Sequence, residues 1–370
     1  MSLLICRMDT CTLSSSQAST SSTSSTCTES TENSQHSYNR RHYYEDSRQY
    51  TFKKVLRDIT STKEKCIQFL QTRGVLKHAV LCPGVLYKGK RQGNCGHPMA
   101  LKKVQDRKDG ISWRCRKIHT VTDKLKAYKS KDVKVSIRED TWLQNSNLTL
   151  EEIVELIYLW TQNFTLAEIE HELNISKKTL IEWTIYFRDV CTCIVLDHSE
   201  PIGGEGVPVE IDESKFGKRK YNKGRRVDGM WVFGGREKYD KSKIFMVPVA
   251  DRKRSTLIPI IEKWIKKGSV IHSDCWSSYK CLNKLGYRHK TVNHSKMFKN
   301  WRNGACTNSI ESEWRHAKCS VPPYGIHKGL HEGYLSEFLW KRKFHDTDLF
   351  LTFIDHLNVA FKADKVTCAP

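Results

Sequence analysis

The stretch Val207-Pro-Val-Glu-Ile-Asp212, an apolar run that ends in a carboxylate, decides how the rest of the chain is interpreted. The run Ser269-Val-Ile-His-Ser-Asp274 ends in the same way, and a third acid, Glu311, lies inside Thr307-Asn-Ser-Ile-Glu-Ser-Glu-Trp314. We predict that each aspartate ends a strand and that Glu311 lies on a helix. Paired Mg²⁺ or Mn²⁺ ions that promote the cutting and joining of phosphodiesters bind carboxylate sets of this kind.

The elements around these runs follow a definite order. Periodicity predicts strands at 207–212, 229–234 and 243–250, a helix at 255–267, a strand at 270–274, a helix at 276–285, a strand at 287–292, and then the helix that carries Glu311. This order matches the α/β ribonuclease-H-like fold, in which the first and fourth strands are neighbours. We therefore expect Asp212, Asp274 and Glu311 to converge, although each acid alone has a simpler explanation as an exposed surface carboxylate.

The charge of the chain favours a polyanionic partner. Its 370 residues include 62 Lys plus Arg against 41 Asp plus Glu, a formal net charge of +21, which promotes salt-sensitive association with DNA. A membrane surface is the competing partner, but no run approaches the roughly 20 apolar residues that a spanning helix requires. The apolar patch within Met1–Cys6 is also too short for a secretory signal. We expect no membrane contact and a location in the nucleus or cytosol, with the nucleus preferred.

A small module at 78–125 combines short alternating strands, a hairpin turn at Asp109-Gly110 and clustered Cys and His. Without a secretory signal the cysteines are expected to be reduced thiols, some of them metal ligands. Zinc ribbons use four such ligands because their hairpins are too small for a core. The expected Zn²⁺ ligands are Cys82, Cys95, Cys115 and His119, with His97 as the substitute for one of them. Buried or free thiols in a small β module are the alternative interpretation.

A second module at 146–198 has the spacing of three helices. Ser176 is the expected N-cap of the third helix, with Leu180, Trp183 and Phe187 inward. The predicted arrangement is a helix-turn-helix, in which the first residues of the last helix enter the major groove. The predicted DNA contacts are Lys177, Lys178 and Thr179. The alternative is an ordinary three-helix packing module with a solvated polar face.

Several motifs together resemble the Merlin-type DDE transposases, relatives of the ISXO-like bacterial insertion-sequence transposases. They are Val209-Glu-Ile-Asp-Glu-Ser-Lys-Phe-Gly217, His272-Ser-Asp-Cys-Trp-Ser-Ser-Tyr279, Val292-Asn-His-Ser295 and Asn308-Ser-Ile-Glu-Ser-Glu-Trp-Arg-His-Ala-Lys318. The resemblance covers roughly residues 80–345 and includes the zinc-ribbon-like and helical modules upstream of the catalytic domain. It implies an enzyme that cleaves transposon ends and joins them to target DNA.

The resemblance also implies site residues. Its catalytic and metal-binding triad matches Asp212, Asp274 and Glu311, with Mg²⁺ or Mn²⁺ as cofactor. Some relatives use Asn in place of the third acid, so Asn308 is the alternative to Glu311, and we prefer the carboxylate because hard cations bind it more strongly. Lys318 matches a basic position expected to hold a phosphate, with Arg315 as a second DNA contact, unless both simply cover the solvent face of the helix.

The implied partners are double-stranded DNA, as terminal inverted repeats and target, and further copies of the chain. Two rival functions remain open: a domesticated transposase-derived DNA-binding protein without transposition activity, and a structure-selective nuclease that cuts without joining. The remaining predicted divisions are a disordered Ser/Thr-rich tail at 1–50, the catalytic domain at 204–345, and a C-terminal helix and tail at 346–370. A basic run from Lys215 to Arg226 and the residue His294 are further candidates for DNA contact or for plain solvent exposure.

Overall fold

A computed structural model describes residues 50–364, except 88–89, 93–94, 106, 118, 124–125, 131–132, 218–228, 293–303 and 323–329, together with 366 and 369. The predicted disordered tail as far as residue 49, the basic run beyond Gly217, and His294 therefore lie outside the described residues. Tyr50, the last residue of that predicted tail, packs against Phe69 and Phe350. The chain forms two compact units, one containing Ile194–Asp346 and the other containing Arg48–Cys193 and Thr347–Pro370. No helix in the described ranges is long and apolar enough to cross a lipid bilayer.

The helices and strands are numbered here in chain order. The helices are α1 (Phe52–Lys54), continued by a π-helical turn (Val55–Ile59), α2 (Lys63–Thr72), α3 (Leu150–Thr161), α4 (Leu166–Leu173), α5 (Lys177–Asp197), α6 (Arg254–Trp264), α7 (Asn308–Ser320), α8 (His331–Lys343) and α9 (Leu349–Lys362). The strands are β1 (Val85–Tyr87), β2 (Lys90–Gln92), β3 (Ala100–Lys103), β4 (Ile111–Arg114), β5 (His119–Asp123), β6 (Lys126–Ser130), β7 (Lys134–Ser136), β8 (Pro208–Phe216), β9 (Met230–Glu237), β10 (Ile244–Val249), β11 (Val270–Ser273) and β12 (Arg288–Thr291).

The helical part of the Arg48–Cys193 unit is built on buried aromatic side chains. Trp160 of α3, Phe187 of α5 and Phe353 of α9 pack with ring centroids 4.7 to 5.2 Å apart. Helix α3 begins with a capping box between Thr149 and Glu152, which satisfies two backbone amides that the helix itself leaves unpaired. The C-terminal helix α9 is thus part of this core.

The same unit contains small antiparallel sheets. Strands β3, β4 and β7 form one sheet, and β1 pairs with β2 and β5 with β6. The turn from β3 to β4 contains Gly110 at φ +68°, where a side chain would be strained, as expected for the Asp109-Gly110 hairpin. Asp109 then accepts hydrogen bonds from the buried guanidinium of Arg138, at 2.5 and 2.9 Å.

The Ile194–Asp346 unit contains a mixed five-stranded sheet in the order β10-β9-β8-β11-β12. Strands β8, β9 and β10 are antiparallel, whereas β8, β11 and β12 are parallel. One face of the sheet packs on α6 through a core that includes Ile211, Phe245 and Ile261. The first and fourth strands of the sheet, β8 and β11, are neighbours, as the predicted element order required.

Three predicted boundaries were wrong. Asp212 does not end its strand, because β9 continues to pair with β8 as far as Phe216 after the pairing with β11 has stopped at Glu210. The helix predicted over 276–285 is a pair of 3₁₀ turns, Ser277–Tyr279 and Leu282–Leu285. Helix α6 ends at Trp264 because Ile265 is extended and bridges to Ile202.

Candidate active site

Strands β8 and β11 place two carboxylates side by side. The last pair in their parallel register joins Glu210 to His272, so Asp212 and Asp274 each lie two residues beyond it, at the same end of the sheet. Asp274 directly follows β11, and its Oδ1 accepts a hydrogen bond from the backbone N–H of Trp276 at 2.9 Å. The carboxylate of Asp274 is therefore held in a tight turn beside Asp212.

Helix α7 is fixed along β8 at three points. Glu210 Oε2 accepts hydrogen bonds from the backbone N–H groups of Ser309 and Ile310 at 2.8 and 3.2 Å, at the start of the helix. Trp314 Nε1 donates to Asp212 at 3.1 Å, and Lys318 Nζ donates to Ser214 Oγ at 2.5 Å. These contacts can form together because the rise along the strand from Glu210 to Ser214 and the rise along the helix from Ser309 to Lys318 are both about 13 Å.

A glycine on β9 makes room for this arrangement. Gly234 pairs with Asp212, and a Cβ at Gly234 would lie 2.7 Å from the ring of Trp314. No side chain fits at that separation, so the glycine lets the indole lie flat enough on the sheet for Nε1 to reach Asp212. The close approach of helix and sheet thus depends on a missing side chain.

A buried ion-pair network holds the other side of α7. Glu313 is 2% exposed and pairs with Arg236 of β9 at 3.3 Å and with Arg342 of α8 at 2.8 Å. Arg236 also donates to the backbone carbonyl of Ser309. Glu313 therefore faces away from Asp212, which agrees with leaving it out of the predicted triad.

The electrostatics couple the three predicted acids. Burial raises the pKa of Asp212 to about 6, and the charges of Asp274 and Glu311 contribute to that rise. Burial likewise raises the pKa of the neighbouring Glu213 to about 8, with contributions from Asp212 and Asp274. A cation bound near these acids would offset their negative charge and lower the pKa values of Asp212 and Glu213.

The third acid lies on the open side of α7. Glu311 is exposed, and its Oε1 accepts a hydrogen bond from Thr307 Oγ1 at 2.9 Å. Among the described side chains, the groups whose potential ligand atoms all lie within 4.8 Å do not include Asp212, Asp274 and Glu311 together. The charges of Asp274 and Glu311 nevertheless reach Asp212, although the three acids do not form one compact cluster of ligand atoms.

The predicted DNA-binding residues Arg315 and Lys318 share the exposed face of α7 with Asn308, the alternative third metal ligand. Asn308, Arg315 and Lys318 are all exposed, at three, four and seven residues from Glu311, so they lie on the same side of the helix. Lys318 Nζ also lies 5.6 Å from the ring centroid of Phe216. The ammonium group is thus held near the sheet instead of moving freely in solvent.

The four predicted zinc ligands lie together in the other unit. Potential ligand atoms of Cys82, Cys95, Cys115 and His119 all lie within 4.8 Å of one another. Cys95 Sγ is 3.9 Å from Cys115 Sγ, and Cys82 Sγ is 3.3 Å from His119 Nε2. Tetrahedral zinc with Zn–S bonds of about 2.3 Å places sulfurs about 3.8 Å apart, so the donor set fits zinc. His97, the predicted substitute, lies outside this group and is exposed.

The start of α5 matches the helix-turn-helix prediction in part. Ser176 Oγ accepts a hydrogen bond from Thr179 N at 3.2 Å, so Ser176 is the N-cap, and Lys177 and Lys178 are exposed. Thr179 is half-buried, with its hydroxyl 2.9 Å from Ser176 Oγ, and its contact with DNA stays a prediction. Leu180 lies inward as expected.

The sequence analysis missed Glu210 as a site residue. It is fully buried, and besides the two amides of α7 it accepts hydrogen bonds from Ser309 Oγ and Cys306 Sγ at 3.2 and 3.4 Å. Potential ligand atoms of Glu210, His272 and Cys306 lie within 4.8 Å of one another, although the hydrogen bonds to α7 already account for the carboxylate. The signal available in the sequence was the spacing, since Glu210 and Asp212 share one face of β8.

Comparisons with known proteins match this chain to transposases. The model of a family described as the ISXO2-like transposase domain matches residues 199–344. An uncharacterized transposase-like protein of Haemophilus influenzae is 34% identical over 102 residues, which cover 27% of this chain and 81% of that protein. A chain of the simian T-cell lymphotropic virus intasome in complex with PP2A regulatory subunit B56 gamma matches 48% of this chain and 68% of its own length, at 14% identity and a TM-score of 0.25. A TM-score that low does not establish a shared fold.

Proposed function

The chain belongs to the transposase family whose members carry an ISXO2-like domain, and from this premise we propose that it is a DDE transposase that cleaves transposon ends and joins them to target DNA. The observation that carries the proposal is that, besides burial, the charges of both Asp274 and Glu311 contribute to the raised pKa of Asp212. The mixed sheet order, with β8 and β11 adjacent, supports a ribonuclease-H-like catalytic domain. The quoted motifs support a Merlin-type assignment.

Asp212, Asp274 and Glu311 are the proposed ligands of two Mg²⁺ or Mn²⁺ ions. Their donor atoms are carboxylate oxygens, which these hard cations prefer, and burial together with the charges of Asp274 and Glu311 raises the pKa of Asp212, an effect that a bound cation would offset. When bound, the ions supply Lewis-acid activation of the attacking and leaving oxygens of the phosphodiester. Glu311 is preferred over Asn308 because its charge already acts on Asp212, whereas a neutral amide adds none.

Two sets of side chains do the remaining work in the proposed site. Glu210 and Trp314 fix α7 beside Asp212, and the charge of Glu311 on that helix acts on Asp212. Lys318, held by Ser214 on the same helix face as Glu311, is placed to bind a phosphate oxygen, with Arg315 as a second cation. Because these cations lie beside the acids, a DNA backbone is drawn to the site.

The other unit is proposed to bind DNA. Lys177 and Lys178 are exposed at the start of a capped helix, the position that enters the major groove in helix-turn-helix proteins. The Cys82, Cys95, Cys115 and His119 cluster is proposed to hold a structural zinc ion. The partners would be terminal inverted repeats and target DNA, bound by a homo-oligomer because two ends must be joined to one target, and the location would be the nucleus.

The test is an assay of purified protein on labelled duplex DNA that carries the candidate terminal repeats, with Mg²⁺ or Mn²⁺. The variant Asp274→Asn keeps the Oδ1 acceptor for Trp276 and removes the charge, while Glu262→Gln changes an exposed carboxylate of α6 as the matched control. Wild type and Glu262→Gln are expected to give cleaved and joined products, and Asp274→Asn neither.

The outcomes separate the rival functions. Cleavage without joining would favour a structure-selective nuclease. Tight, specific DNA binding with no product that depends on Asp274 would favour a domesticated DNA-binding protein. Products that persist in Asp274→Asn would overturn the proposed triad.

A further inference from the structure

A strip of alternating aromatic and cationic side chains begins beside Asp274. The guanidinium carbon of Arg252 lies 4.7 Å from the ring centroid of Trp276 and 4.2 Å from that of Trp231. Lys215 Nζ lies 5.7 Å from the centroid of Trp231. We call these four residues, Trp276, Arg252, Trp231 and Lys215, the aromatic strip.

The outer end of the strip is rigid and exposed at once. Trp276 is 39% exposed, although its backbone N–H donates to Asp274 Oδ1 and its indole Nε1 donates to the carbonyl of Arg252 at 3.3 Å. Ser278 Oγ donates to the same carbonyl at 3.2 Å. An indole held in this way loses little conformational entropy when a second planar group stacks on it.

The inner end of the strip is anchored in the core. Trp231 is partly buried and packs against the apolar cluster under the sheet, where it pairs with Lys215 across β8 and β9. Packing alone therefore explains Trp231. It does not explain Trp276, which is 39% exposed two residues beyond a candidate catalytic acid.

The charge of this surface suits a polyanion. Arg252 and Lys215 belong to the strip, and Lys253 and Arg254 are exposed next to it. Cations interleaved with aromatic rings are the pattern by which proteins hold single-stranded nucleic acid, with phosphates on the cations and bases on the rings. A fully paired duplex has its bases stacked inside and cannot use such a ring.

We propose that the aromatic strip is a binding site for an unpaired nucleotide of DNA next to the phosphodiester at Asp212 and Asp274, with its base stacked on Trp276. Arg252 and Lys215 contact the phosphates of that strand. The proposal rests on the proposed function for the position of the scissile phosphate. It narrows the substrate to DNA in which the nucleotide next to that phosphate is already unpaired or loses its base pair on binding. A frayed transposon end or a flipped base supplies such a nucleotide.

The experiment measures binding instead of cleavage, so that it can succeed or fail independently of the chemistry. The probes are a labelled duplex of mixed sequence and the same duplex with a single-stranded extension that contains 2-aminopurine, both in the presence of Ca²⁺. The proteins are wild type, Trp276→Ala, Trp276→Phe, and Tyr239→Ala as a matched control. Tyr239 is 82% exposed on the β9–β10 turn with Lys238 near its ring, so it is a second exposed aromatic with a cation.

Wild type and Tyr239→Ala are expected to prefer the extended probe and to quench 2-aminopurine. Trp276→Ala is expected to reduce that preference by about 5- to 150-fold, the range for loss of one base–aromatic stack, and to abolish the quenching. Trp276→Phe should restore most of both. A thermal melt of each variant checks that the fold is intact.

The proposal is overturned if wild type shows no preference for the extended probe, or if Trp276→Ala keeps the preference and the quenching. It is also overturned if Trp276→Phe behaves like Trp276→Ala, because a ring would then not be the feature that matters. A normal preference together with absent cleavage would retain the site and reject the proposed transposase chemistry.

Discussion

Replacing Glu210 should lower the free energy of opening of helix α7. The size of the loss should depend on whether the new side chain still accepts the hydrogen bonds, more than on whether it carries a charge. Both backbone amides that start the helix, from Ser309 and Ile310, donate to Oε2, while Ser309 Oγ and Cys306 Sγ donate to Oε1. In Glu210→Gln the amide oxygen can take the place of Oε2, and the NH₂ group can donate to the hydroxyl and the thiol. Glu210→Ala leaves both backbone amides buried without this acceptor.

The magnitudes follow from those contacts. Loss of a helix N-cap costs about 0.5–2 kcal/mol, and each buried donor left unsatisfied costs about 1–3 kcal/mol. We expect Glu210→Ala to lower the opening free energy of α7 by about 3–5 kcal/mol. For Glu210→Gln, which weakens charge-assisted bonds to neutral ones, we expect a loss of about 1 kcal/mol.

Hydrogen exchange followed by mass spectrometry measures this opening directly. The amides of Asn308–Ser320 are expected to exchange roughly 150- to 5,000-fold faster in Glu210→Ala and about fivefold faster in Glu210→Gln. The amides of α3, which lies in the other compact unit, serve as the internal control, and Glu262→Gln as the control variant. Equal losses in Gln and Ala would refute the shape argument and would instead favour a metal held by Glu210 with His272 and Cys306.

Three further predictions follow from other contacts. Removal of zinc by a chelator is expected to speed hydrogen exchange at the amides of β3 and β4, because so small a sheet has little core. Cys115→Ser should release the metal and have the same effect. Full zinc content and unchanged hydrogen exchange in that variant would contradict the proposed ligand set. Because burial holds the pKa of Asp212 at about 6 and that of Glu213 at about 8, both above their unfolded values, the folded state binds more protons than the unfolded state between about pH 4 and 8. Thermal stability without metal should therefore fall as pH rises through that window and recover with Mg²⁺, and a rise on alkalinisation would count against the raised pKa values. Glu313→Ala leaves the buried Arg236 without a carboxylate and should cost about 3–5 kcal/mol in urea unfolding, so a loss below about 1 kcal/mol would show that the pair contributes little.

Much of the local structure was predictable because it depends on neighbours in sequence. Alternation located strands β8 to β12 to within a few residues, and the Asp109-Gly110 turn and the Ser176 cap lie where short-range geometry requires them. The grouping of Cys82 with three other ligands was also accessible, since few residue types hold zinc. The catalytic roles of the acids remain predictions.

The errors arose where partners are distant in sequence. The length of β8 depends on pairing with β9, and the identity of Glu210 as a helix cap depends on amides about 100 residues away. In the sequence Glu313 is indistinguishable from an exposed helical carboxylate, and only the fold shows that it pairs with Arg236 and Arg342. The exposed position of Trp276 beside Arg252 likewise has no local signature.

By itself the sequence determined which residue types the chain could bring to a site, namely two aspartates after apolar runs, a helical glutamate and a basic surface, because side-chain chemistry and periodicity are local properties. Only the tertiary structure decided which of these residues lie close together and how far burial shifts their pKa values. The sheet register sets Asp212 beside Asp274, the Glu210 and Trp314 contacts place α7, and burial raises the pKa of Asp212. Those outcomes depend on long-range packing and desolvation, which no stretch of sequence specifies alone.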